Sequence, residues 1–429
     1  MSLGLDMIQL ETGFSFGGVL DPSLPHSYPL GSDAYWMREA LLTARLGVGI
    51  ANPNPSVGCV IVDVQGREVA RGATQAFGGK HAERIALEKV NDPRRLENGT
   101  LYVTLEPCSH FGHQPPCVQE ILTSKLRRIV VAHSDPNPLV RGEGIRQLQA
   151  AGKEVQIGPL SAEAIAWNFP FLAAQIFRRP ILALKWAQTL DGQLTDDQGH
   201  SQWITGPTAR AYTHWLRQKY DAILVGARTV LTDFPLLSVR DCGPPHQTQP
   251  LPIIFDPHGI CLEVNRRTQA QLLEKTFSPT RPLVYLTTGL PSRKSSKTRA
   301  RAKSWLEKRS HVTFMPIPKL SVLKTVSFLK DPLLEQLLTR PLQSIMIEGG
   351  PRTLTSFLQA GLGDVIHLFT APLFTGGHRH RIQLELSLQK AKRFELIATA
   401  RRESDLVLEM ISQDAYSQIF ESLLRKTQT

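Results

Sequence analysis

Three residues in the first third of the chain have the types and the order of a catalytic zinc site. His81 is followed two residues later by Glu83, and a Pro107-Cys108 pair and a second cysteine, Cys117, come further along the chain. One imidazole and two thiolates can bind zinc and leave the fourth coordination position open for water. Glu83 is not needed as a ligand, and its carboxylate can take a proton from that water and return it to a leaving amine. These residues predict a metal-assisted hydrolysis at a carbon–nitrogen bond.

The elements that must position these residues are helices that begin beside strand ends. His81 and Glu83 open a helix predicted over residues 80–90, and Cys117 lies in the first turn of a helix predicted over residues 115–126. A helix N-terminus favours a thiolate. Because open α/β sheets bind ligands beside the strand ends, this placement favours a catalytic role.

Two alternatives compete with this interpretation. A structural zinc needs a fourth ligand, for which His110 and His113 are candidates, and cysteines can simply be small buried apolar residues. The complete pattern of His-x-Glu, a later Pro-Cys and a second Cys is typical of zinc deaminases. We therefore favour the deaminase interpretation over both alternatives.

The composition is that of a globular protein with two or three domains. The 429 residues are 41% hydrophobic and 20% charged, and no stretch approaches the roughly 20 apolar residues that cross a bilayer. Five cysteines argue against a disulfide scaffold, and the first positive residue, Arg38, is too late for a secretory signal. We expect a soluble cytoplasmic protein. The net charge of +11 suits nucleic acid and anionic small substrates equally well.

Strands and helices alternate along the chain in two series. We predict a weakly ordered extension over residues 1–30, a first domain over 31–176 and a second domain over 177–429, with a break near 168–179. The alternation predicts α/β domains, the first with three layers and a mainly parallel sheet. The predicted strands cover residues 57–62, 100–105, 128–132, 181–186, 222–225, 252–255, 283–286, 344–347 and 365–370. The predicted helices cover residues 35–46, 80–90, 115–126, 145–151, 207–218 and 353–360.

A basic run separates two of the predicted strands in the second domain. Residues 293–309 contain eight Lys or Arg and one Glu. Such runs are usually solvated faces, so we predict an exposed, positively charged helix here rather than a nucleic-acid patch.

Five segments around the predicted zinc site resemble the deaminase half of the bifunctional riboflavin-biosynthesis deaminase/reductases. They are Asn52-Pro-Asn-Pro-Ser-Val-Gly58, His81-Ala-Glu83, Glu106-Pro-Cys-Ser-His110, Pro115-Pro-Cys117 and Asp135-Pro-Asn-Pro138. Eight residues separate the two cysteines of the motif, whereas nucleic-acid and cytidine deaminases typically have two there. The spacing therefore argues against a nucleic-acid base deaminase with an accessory domain.

The resemblance implies a cytidine-deaminase-like α/β/α domain that binds one catalytic zinc through His81, Cys108 and Cys117. It also implies that Glu83 shuttles the proton. The residues that it implies for seating a pyrimidine ribotide are Asn54, His113, Asp135 and Asn137. His113 stands where the family usually has Lys or Arg, and the Asn-Pro and Asp-Pro pairs are also explained by turns alone.

Segments of the second domain resemble the reductase half of the same enzymes, which is related in fold to dihydrofolate reductase. They lie over residues 184–192, 201–205, 223–240 and 347–351. The resemblance implies that NADPH is bound by Ala187, Trp203, Thr229, Asp233, Gly350, Pro351, Arg352, Thr353, Leu354, Thr355 and Ser356. It implies substrate contacts from Lys185, Asp191, Ser201, Arg217, Leu237, Arg240 and Glu348.

Elementary chemistry supports several of these implied roles. A Gly-Gly turn at a helix N-terminus, here Gly349-Gly350, presents N–H groups to phosphate, and arginines such as Arg217 and Arg240 can bind phosphate bidentately. A lysine inside an apolar strand, Lys185, is rarely buried without a partner. Each of these residues also has an alternative to a binding role. Trp203 could pack in the core, the two arginines could be exposed on the surface, and Lys185 could form a structural ion pair.

The resemblance implies two consecutive reactions on one small molecule. The first is hydrolytic deamination of 2,5-diamino-6-(5-phosphoribosylamino)pyrimidin-4(3H)-one. The second is NADPH-dependent reduction of the ribosyl group to ribityl, which gives 5-amino-6-(5-phosphoribitylamino)uracil. We expect a homo-oligomer that binds neither nucleic acid nor membrane. An active deaminase joined to a silent reductase-like binding domain is the remaining alternative.

Overall fold

The structure is a computed structural model of the chain. It describes residues 28–111, 114–136, 142–240, 249–276, 282–288, 301–304, 306, 308, 311–317, 332–377, 380–384, 386–421 and 423. The predicted extension therefore lies almost wholly outside the described residues, as does most of the basic run, of which residues 301–304 are helical. Among the described helices, none combines the length and the apolar character needed to span a membrane.

A five-stranded mixed sheet forms the centre of the first domain. Its strands, in the order β2-β1-β3-β4-β5, are β1 (Gly58–Val62), β2 (Glu68–Ala73), β3 (Thr100–Val103), β4 (Arg128–Val131) and β5 (Glu154–Ile157). Strand β1 pairs antiparallel with β2 and with β3, while β3, β4 and β5 are parallel. The prediction of a mainly parallel sheet holds for β3, β4 and β5, whereas β1 runs antiparallel to both of its neighbours. A short turn joins β1 to β2, and no crossover helix separates them.

Helices cover both faces of this sheet. They are α1 (Asp33–Ala44), α2 (Ala82–Glu88), α3 (Cys117–Thr123), α4 (Glu143–Ala150) and α5 (Ser161–Trp167). A Cβ on Gly58 would lie 1.9 Å from the carbonyl oxygen of Ala40 in α1, and one on Gly72 would lie 2.2 Å from that of Ala82 in α2. Gly72 pairs with Cys59, so Gly58 points to the opposite face. The two helices therefore lie on opposite faces, which confirms the three layers.

The segment predicted as a break between the domains is helical. Helix α6 (Phe169–Phe177) follows α5 after Asn168 and contacts β6 and β11 of the second sheet. Its sequence is largely apolar, with a proline in the first turn, where proline is tolerated. The apolar face against the second sheet explains why the helix forms where turn signals predicted none.

A nine-stranded sheet forms the second domain, in the order β10-β9-β8-β7-β11-β6-β12-β14-β13. All six strands predicted here are present, and β10, β13 and β14 are additional. The strands are β6 (Ile181–Thr189), β7 (Ala222–Gly226), β8 (Leu251–Phe255), β9 (Leu283–Thr287), β10 (Val312–Pro316), β11 (Ser344–Glu348), β12 (Val365–Ala371), β13 (Phe394–Arg402) and β14 (Asp405–Ser412). The first seven in spatial order are parallel, whereas β14 and β13 form an antiparallel edge.

The remaining helices are distributed along the second domain. They are α7 (Pro207–Gln218), α8 (Ala227–Asp233), α9 (Arg266–Lys275), α10 (Pro332–Leu338), α11 (Pro351–Gln359) and the short α12 (Gln413–Tyr416). Helices α8 and α11 each begin directly after a parallel strand, at the carboxyl end of β7 and β11. Ligands of open α/β sheets bind at these ends.

The two domains are joined by aromatic and polar contacts. The ring of Trp167 in α5 lies 6.3 Å from that of Trp215 in α7, and the Lys219 ammonium lies 5.0 Å from the centre of the Trp167 ring. Nδ2 of Asn52 donates to Oδ1 of Asp221 in the second domain at 3.5 Å. Within the first domain, the backbone N–H of Ser56 donates to Oδ1 of Asn168 at 3.0 Å. The loop that carries Asn54 is therefore fixed next to the junction.

We predict that Gly72→Ala destabilises the first domain and displaces the start of α2. The added methyl group would lie 2.2 Å from the oxygen of Ala82 and 2.6 Å from the nitrogen of Ala86, and such overpacking costs about 1–3 kcal/mol. The measurement is the melting temperature of the transition that includes the first domain.

The matched control is Gly66→Ala. Gly66 has a φ of +72° but open space around it, so this variant carries only the left-handed backbone cost of about 1 kcal/mol. Equal melting temperatures for the two variants would contradict the close approach of α2 to the sheet.

Candidate active sites

Three segments bring the predicted zinc ligands together. His81 is the N-cap residue of α2, Cys108 lies in the loop after β3, and Cys117 is the first residue of α3. Nδ1 of His81 lies 3.5 Å from Sγ of Cys108 and 3.4 Å from Sγ of Cys117. The three donor atoms lie within 4.8 Å of one another.

These separations fit a tetrahedral zinc ion. Zinc–nitrogen and zinc–sulfur bonds of about 2.1 and 2.3 Å at a tetrahedral angle place the two donors about 3.6 Å apart. The nitrogen–sulfur distances of 3.5 and 3.4 Å agree with that value before any metal is added. The donor set of one imidazole and two thiolates thus suits zinc.

The site has the composition of an open, catalytic centre. In the part of the chain that the structure describes, no fourth side chain joins the three donors. His110 stays outside the group, and its Nδ1 is buried without a described hydrogen-bond partner. His113, the other candidate for a structural fourth ligand, lies outside the described residues.

Four groups at this site have shifted pKa values. The hydrogen bond with Cys108 raises the pKa of His81 to about 9, and the hydrogen bond with Cys108 together with burial raises the pKa of the Cys117 thiol. Hydrogen bonds from Cys117 and His81 lower the pKa of the Cys108 thiol to about 4. Burial raises the pKa of Glu83 to about 7. A carboxyl group with a pKa in this range can both accept and return a proton near neutral pH.

Glu83 is placed to serve the metal without binding it. It lies in the first turn of α2 and is 4% exposed, and its carboxylate interacts with His81, Cys108 and Cys117. It does not belong to the group of potential ligands. The geometry therefore places the Glu83 carboxylate beside the three donors but outside their group.

Two of the four residues implied for the pyrimidine, Asn54 and Asp135, lie in described loops of the first domain. Asn54 precedes β1 in a turn closed by its N–H to the oxygen of Ala51 at 2.8 Å. Asp135 is buried in the loop after β4. Asn137 and His113 are outside the described residues, so their placement stays a prediction.

Glu106 is a positioning residue that the sequence analysis quoted within a motif but did not single out. Its carboxylate accepts hydrogen bonds from the backbone N–H groups of Asp135, Gly142, Gly144 and Ile145, at 2.9 to 3.3 Å. The buried carboxylate thereby holds the loop that contains Asp135 against the loop that contains Cys108. Its place directly before Pro-Cys was the signal that could have identified it.

A second cluster of charged residues lies in the second domain at the carboxyl end of β11, beside the middle of β6. Nε and Nη2 of Arg217 donate to the two carboxylate oxygens of Glu348 at 2.7 and 2.8 Å. Lys185 pairs with Glu348 in the register of the two strands, and its ammonium lies 4.7 Å from the centre of the Phe369 ring. Three residues implied for the substrate thus meet at one point.

The electrostatics of this cluster follow from burial and mutual charge. Burial lowers the pKa of Lys185 to about 8. Burial alone would raise the pKa of Glu348, but the charge and hydrogen bonds of Arg217 outweigh it and hold that pKa at about 2. Surface exposure is wrong for Arg217, which is 8% exposed and directs its fork to Glu348.

The neighbouring segment places Leu237 and Arg240 differently. Leu237 is buried with a left-handed φ of +50°, whereas Arg240 is exposed and donates to Oγ of Ser238 at 3.3 Å. The carbonyl oxygen of Ser238 accepts from Nη1 of Arg217 at 2.8 Å. The segment therefore lies beside the Arg217–Glu348 pair.

Three of the residues implied for NADPH, Thr229, Gly350 and Thr353, lie close together at the beginnings of α8 and α11. The N–H of Gly350 donates to Oγ1 of Thr229 at 3.1 Å, and a Cβ on Gly226 would lie 2.2 Å from Oγ1 of Thr353. Gly350, the N-cap residue of α11, offers no side-chain cap. Glycines therefore line the N-terminus of α11, and a helix N-terminus of this kind suits a phosphate group. These residues fit the phosphate groups of a dinucleotide cofactor.

The other residues implied for the cofactor are distributed around this point. Ser201 donates to Oδ1 of Asp233 at 3.2 Å, which links a substrate residue to a cofactor residue. Trp203 is 66% exposed, so the alternative of core packing is wrong. Leu354 is fully buried in the apolar core. Helix α11 contains four more of them: Pro351, Arg352, Thr355 and Ser356. Ala187 is half-buried on β6. The carboxylate of Asp191, which is implied for the substrate, accepts a hydrogen bond from the N–H of Gly376 at 2.8 Å.

Comparisons with known proteins agree with both halves of the chain. Residues 30–133 match the cytidine and deoxycytidylate deaminase zinc-binding region. Residues 180–408 match the RibD C-terminal domain.

Several proteins are similar over most of the chain. The riboflavin biosynthesis protein RibD of Aquifex aeolicus is 38% identical over 80% of this chain and 88% of its own length. That of Escherichia coli is 35% identical over 80% of this chain and 89% of its own length. The Acinetobacter baumannii RibD structure has a TM-score of 0.70 at 30% identity, covering 90% of this chain and 100% of its own. A Thermotoga maritima diaminohydroxyphosphoribosylaminopyrimidine deaminase/5-amino-6-(5-phosphoribosylamino)uracil reductase has a TM-score of 0.70 at 31% identity, covering 89% and 98%.

We predict that Cys117→Ser loses bound zinc, because a hydroxyl is a much weaker zinc ligand than a thiolate. The measurement is the zinc content of the purified chain by elemental analysis, with an expected fall from one ion per chain. The matched control is Cys261→Ser, which changes another buried cysteine whose Sγ contacts the oxygen of Ala227 at 3.6 Å. Equal zinc contents in the two variants would remove Cys117 from the ligand set.

We predict that the Arg217–Glu348 pair stabilises the second domain above pH 4.5 and that this contribution is lost as the pH falls towards 2. The folded pKa of Glu348 is depressed from 4.5 to about 2, so acid protonates the unfolded chain first. Glu348→Gln should flatten the fall in melting temperature between about pH 5 and about pH 3.

The control for this pH experiment is Glu263→Gln, which changes an exposed glutamate of the second domain. This control should keep the wild-type pH dependence. An unchanged dependence in Glu348→Gln would show that the pair contributes nothing in this range.

Proposed function

This chain belongs to the RibD family of bifunctional deaminase/reductases of riboflavin biosynthesis, and from that membership we propose which of its residues perform each reaction. The deaminase domain covers residues 31–176 and the reductase domain residues 177–429. The substrate of the first is 2,5-diamino-6-(5-phosphoribosylamino)pyrimidin-4(3H)-one, and the product of the second is 5-amino-6-(5-phosphoribitylamino)uracil. The observation that carries the proposal is the meeting of His81, Cys108 and Cys117 beside the buried Glu83.

The deaminase site divides its work between ligands and a proton carrier. When bound, zinc activates a water molecule for attack on the ring carbon that bears the amino group. The two thiolates of the ligand set would offset the charge of the ion, and the neutral imidazole would supply the third donor atom. Glu83 takes a proton from the water and delivers it to the amine, so the carbon–nitrogen bond breaks and ammonia leaves. Asn54 and Asp135 hold the ring in the loops beside the centre.

The buried position of Glu83 gives this cycle its efficiency. A carboxylate shielded from solvent exchanges its proton with the reacting atoms instead of with bulk water. The backbone hydrogen bonds accepted by Glu106 keep the Asp135 loop at a fixed distance from the Cys108 loop. Substrate, proton carrier and ligands are thereby oriented before the reaction begins.

The reductase site positions a sugar between charged residues. NADPH supplies the hydride that converts the ribosyl group to ribityl. Lys185 is half-buried next to Glu348 and can donate a hydrogen bond and a proton to the sugar oxygen as its carbon is reduced. Arg217 holds Glu348 in place with two hydrogen bonds. The exposed Arg240 is available to the substrate phosphate.

The cofactor lies at the carboxyl ends of the parallel strands. The start of α11, from Gly350 to Ser356, binds its phosphates, because the helix N-terminus presents backbone N–H groups there. Thr229, Asp233, Ala187 and Trp203 complete the site. This arrangement supports NADPH without the glycine-rich fingerprint of the ordinary dinucleotide fold.

The remaining properties follow from the same assignment. Ligands are small molecules, and we place the protein in the cytoplasm as a homo-oligomer. No observation on the described residues favours a nucleic-acid base deaminase, and the eight residues between the two cysteine ligands oppose it. The complete Lys185–Glu348–Arg217 cluster opposes a silent reductase-like domain.

We predict that the purified chain releases ammonia from the diaminopyrimidine ribotide with or without NADPH, and forms the ribityl product only when NADPH is present. The measurement is ammonia release together with mass spectrometry of the products. Ammonia release followed by no reduction would support the silent second domain. Base conversion in RNA without reaction of the ribotide would contradict the proposal as a whole.

We predict that Glu83→Gln lowers ammonia release by about 100-fold or more, since a general acid–base group contributes about that much, while zinc stays bound. Lys185→Met is the reciprocal variant, expected to lose reduction and keep ammonia release. Deamination by Glu83→Gln at a near wild-type rate, with one zinc per chain, would refute the role of Glu83.

A further inference from the structure

Trp203 is an exposed aromatic ring with a cation on one face. Its side chain is 66% exposed, whereas Trp36, Trp167, Trp186 and Trp215 are at most 8% exposed. The guanidinium carbon of Arg210 lies 4.3 Å from the centre of the Trp203 ring. At this distance the guanidinium covers one face of the indole, so the large exposed area belongs to the rest of the ring.

Arg210 is itself fixed by the backbone of the same loop. Its Nη1 donates to the carbonyl oxygen of Thr205 at 2.7 Å. Arg210 lies in the first turns of α7, so a rigid helix anchors one end of its side chain and the loop holds the other. The guanidinium therefore ties the loop that contains Trp203 to the helix that contains Arg217.

Two further contacts hold this loop from other elements. At its start, Ser201 donates to Asp233 at the end of α8 at 3.2 Å. At its end, the N–H of Gly206 donates to Oδ2 of Asp405, the first residue of β14, at 2.7 Å. The loop is thus fixed on both sides of Trp203, which turns an exposed indole into a rigid surface.

We propose that Arg210 is a positioning residue of the reductase, which holds the Trp203 indole as a flat platform on which a ring of the dinucleotide cofactor stacks. This inference rests on the proposed function, because that function places Trp203 in the cofactor site. Arg210 covers the inner face of the indole and leaves the opposite face for the ligand. Arg210 itself does not touch the reacting atoms.

Physical reasoning explains why an arginine serves this purpose. A planar guanidinium stacks on an aromatic face while its N–H groups bind a carbonyl in the plane, which a lysine ammonium cannot do. An unsupported exposed indole would lose rotamer freedom when a ligand binds. Holding the ring in advance removes that cost, so the platform strengthens cofactor binding without an additional contact to the cofactor.

The test is a double-mutant cycle on Trp203 and Arg210 in the full-length chain. The dissociation constant for NADPH is measured by calorimetry for wild type, Trp203→Ala, Arg210→Met and the double variant. Trp203→Ala should weaken binding about tenfold, as expected for loss of an aromatic stacking surface. Arg210→Met should weaken it about twofold to fivefold, the range of a cation–π contact at an exposed site.

The decisive comparison is the effect of Arg210→Met in the Trp203→Ala background. If Arg210 acts through the indole, the double variant binds NADPH no more weakly than Trp203→Ala alone. If the two effects multiply, Arg210 supports the fold or the cofactor independently, and the proposal is overturned. Arg146→Met, which changes an exposed arginine of the first domain with 69% side-chain exposure, is the control and should bind NADPH as wild type does.

Failure of this inference is distinguishable from failure of the proposed function. A wild-type dissociation constant for NADPH in Trp203→Ala would exclude Trp203 from the cofactor site. It would overturn both the proposed cofactor role of Trp203 and the positioning role of Arg210. A weakened Trp203→Ala with a normal Arg210→Met would overturn only the role of Arg210. If Arg210→Met lowers the melting temperature by several degrees, Arg210→Lys takes its place in the cycle. Arg210→Lys should weaken NADPH binding in the chain that retains Trp203 and should have no effect on it in the Trp203→Ala variant.

Discussion

The structure of the first domain depends on placing three anionic groups around one point. In the zinc-bound state proposed above, Cys108 and Cys117 are thiolates next to the buried carboxylate of Glu83, and their mutual repulsion in a low-dielectric interior would be unfavourable without a cation. A single zinc ion held by His81, Cys108 and Cys117 would relieve it. The ligands come from the N-cap of α2, the loop after β3 and the start of α3, so metal binding also fixes these three elements to the sheet.

Charge is also balanced in the site of the second domain, where side chains balance one another and no metal ion is needed. Glu348 carries the one negative charge, and Arg217 and Lys185 carry two positive ones. Arg217 is satisfied by both oxygens of Glu348, which leaves the ammonium of Lys185 for a ligand. The cluster lies at the carboxyl end of β11, beside the middle of β6 and next to the start of α11. The charged side chains proposed to bind the substrate and the backbone N–H groups proposed to bind the cofactor therefore lie at the same edge of the sheet.

Much of this arrangement could be predicted from the sequence, and the exceptions have physical reasons. His81, Glu83, Cys108 and Cys117 were identifiable because metal chemistry restricts residue type and order. Strands β2 and β5 were missed because each is a short edge strand with few buried residues, and β14 was missed although its buried positions alternate. Glu106 and Arg210 act by holding backbone and ring partners that come together only in the folded chain, so spacing along the sequence could not reveal their roles.

The central claim is an open zinc centre with one imidazole and two thiolates. X-ray absorption at the zinc edge of the full-length chain tests it most directly. The account predicts two sulfur ligands at about 2.3 Å and light nitrogen or oxygen ligands at about 2.0 Å, one of them exchangeable solvent. A closed shell of four protein ligands, or a chain that takes up no zinc, would contradict it.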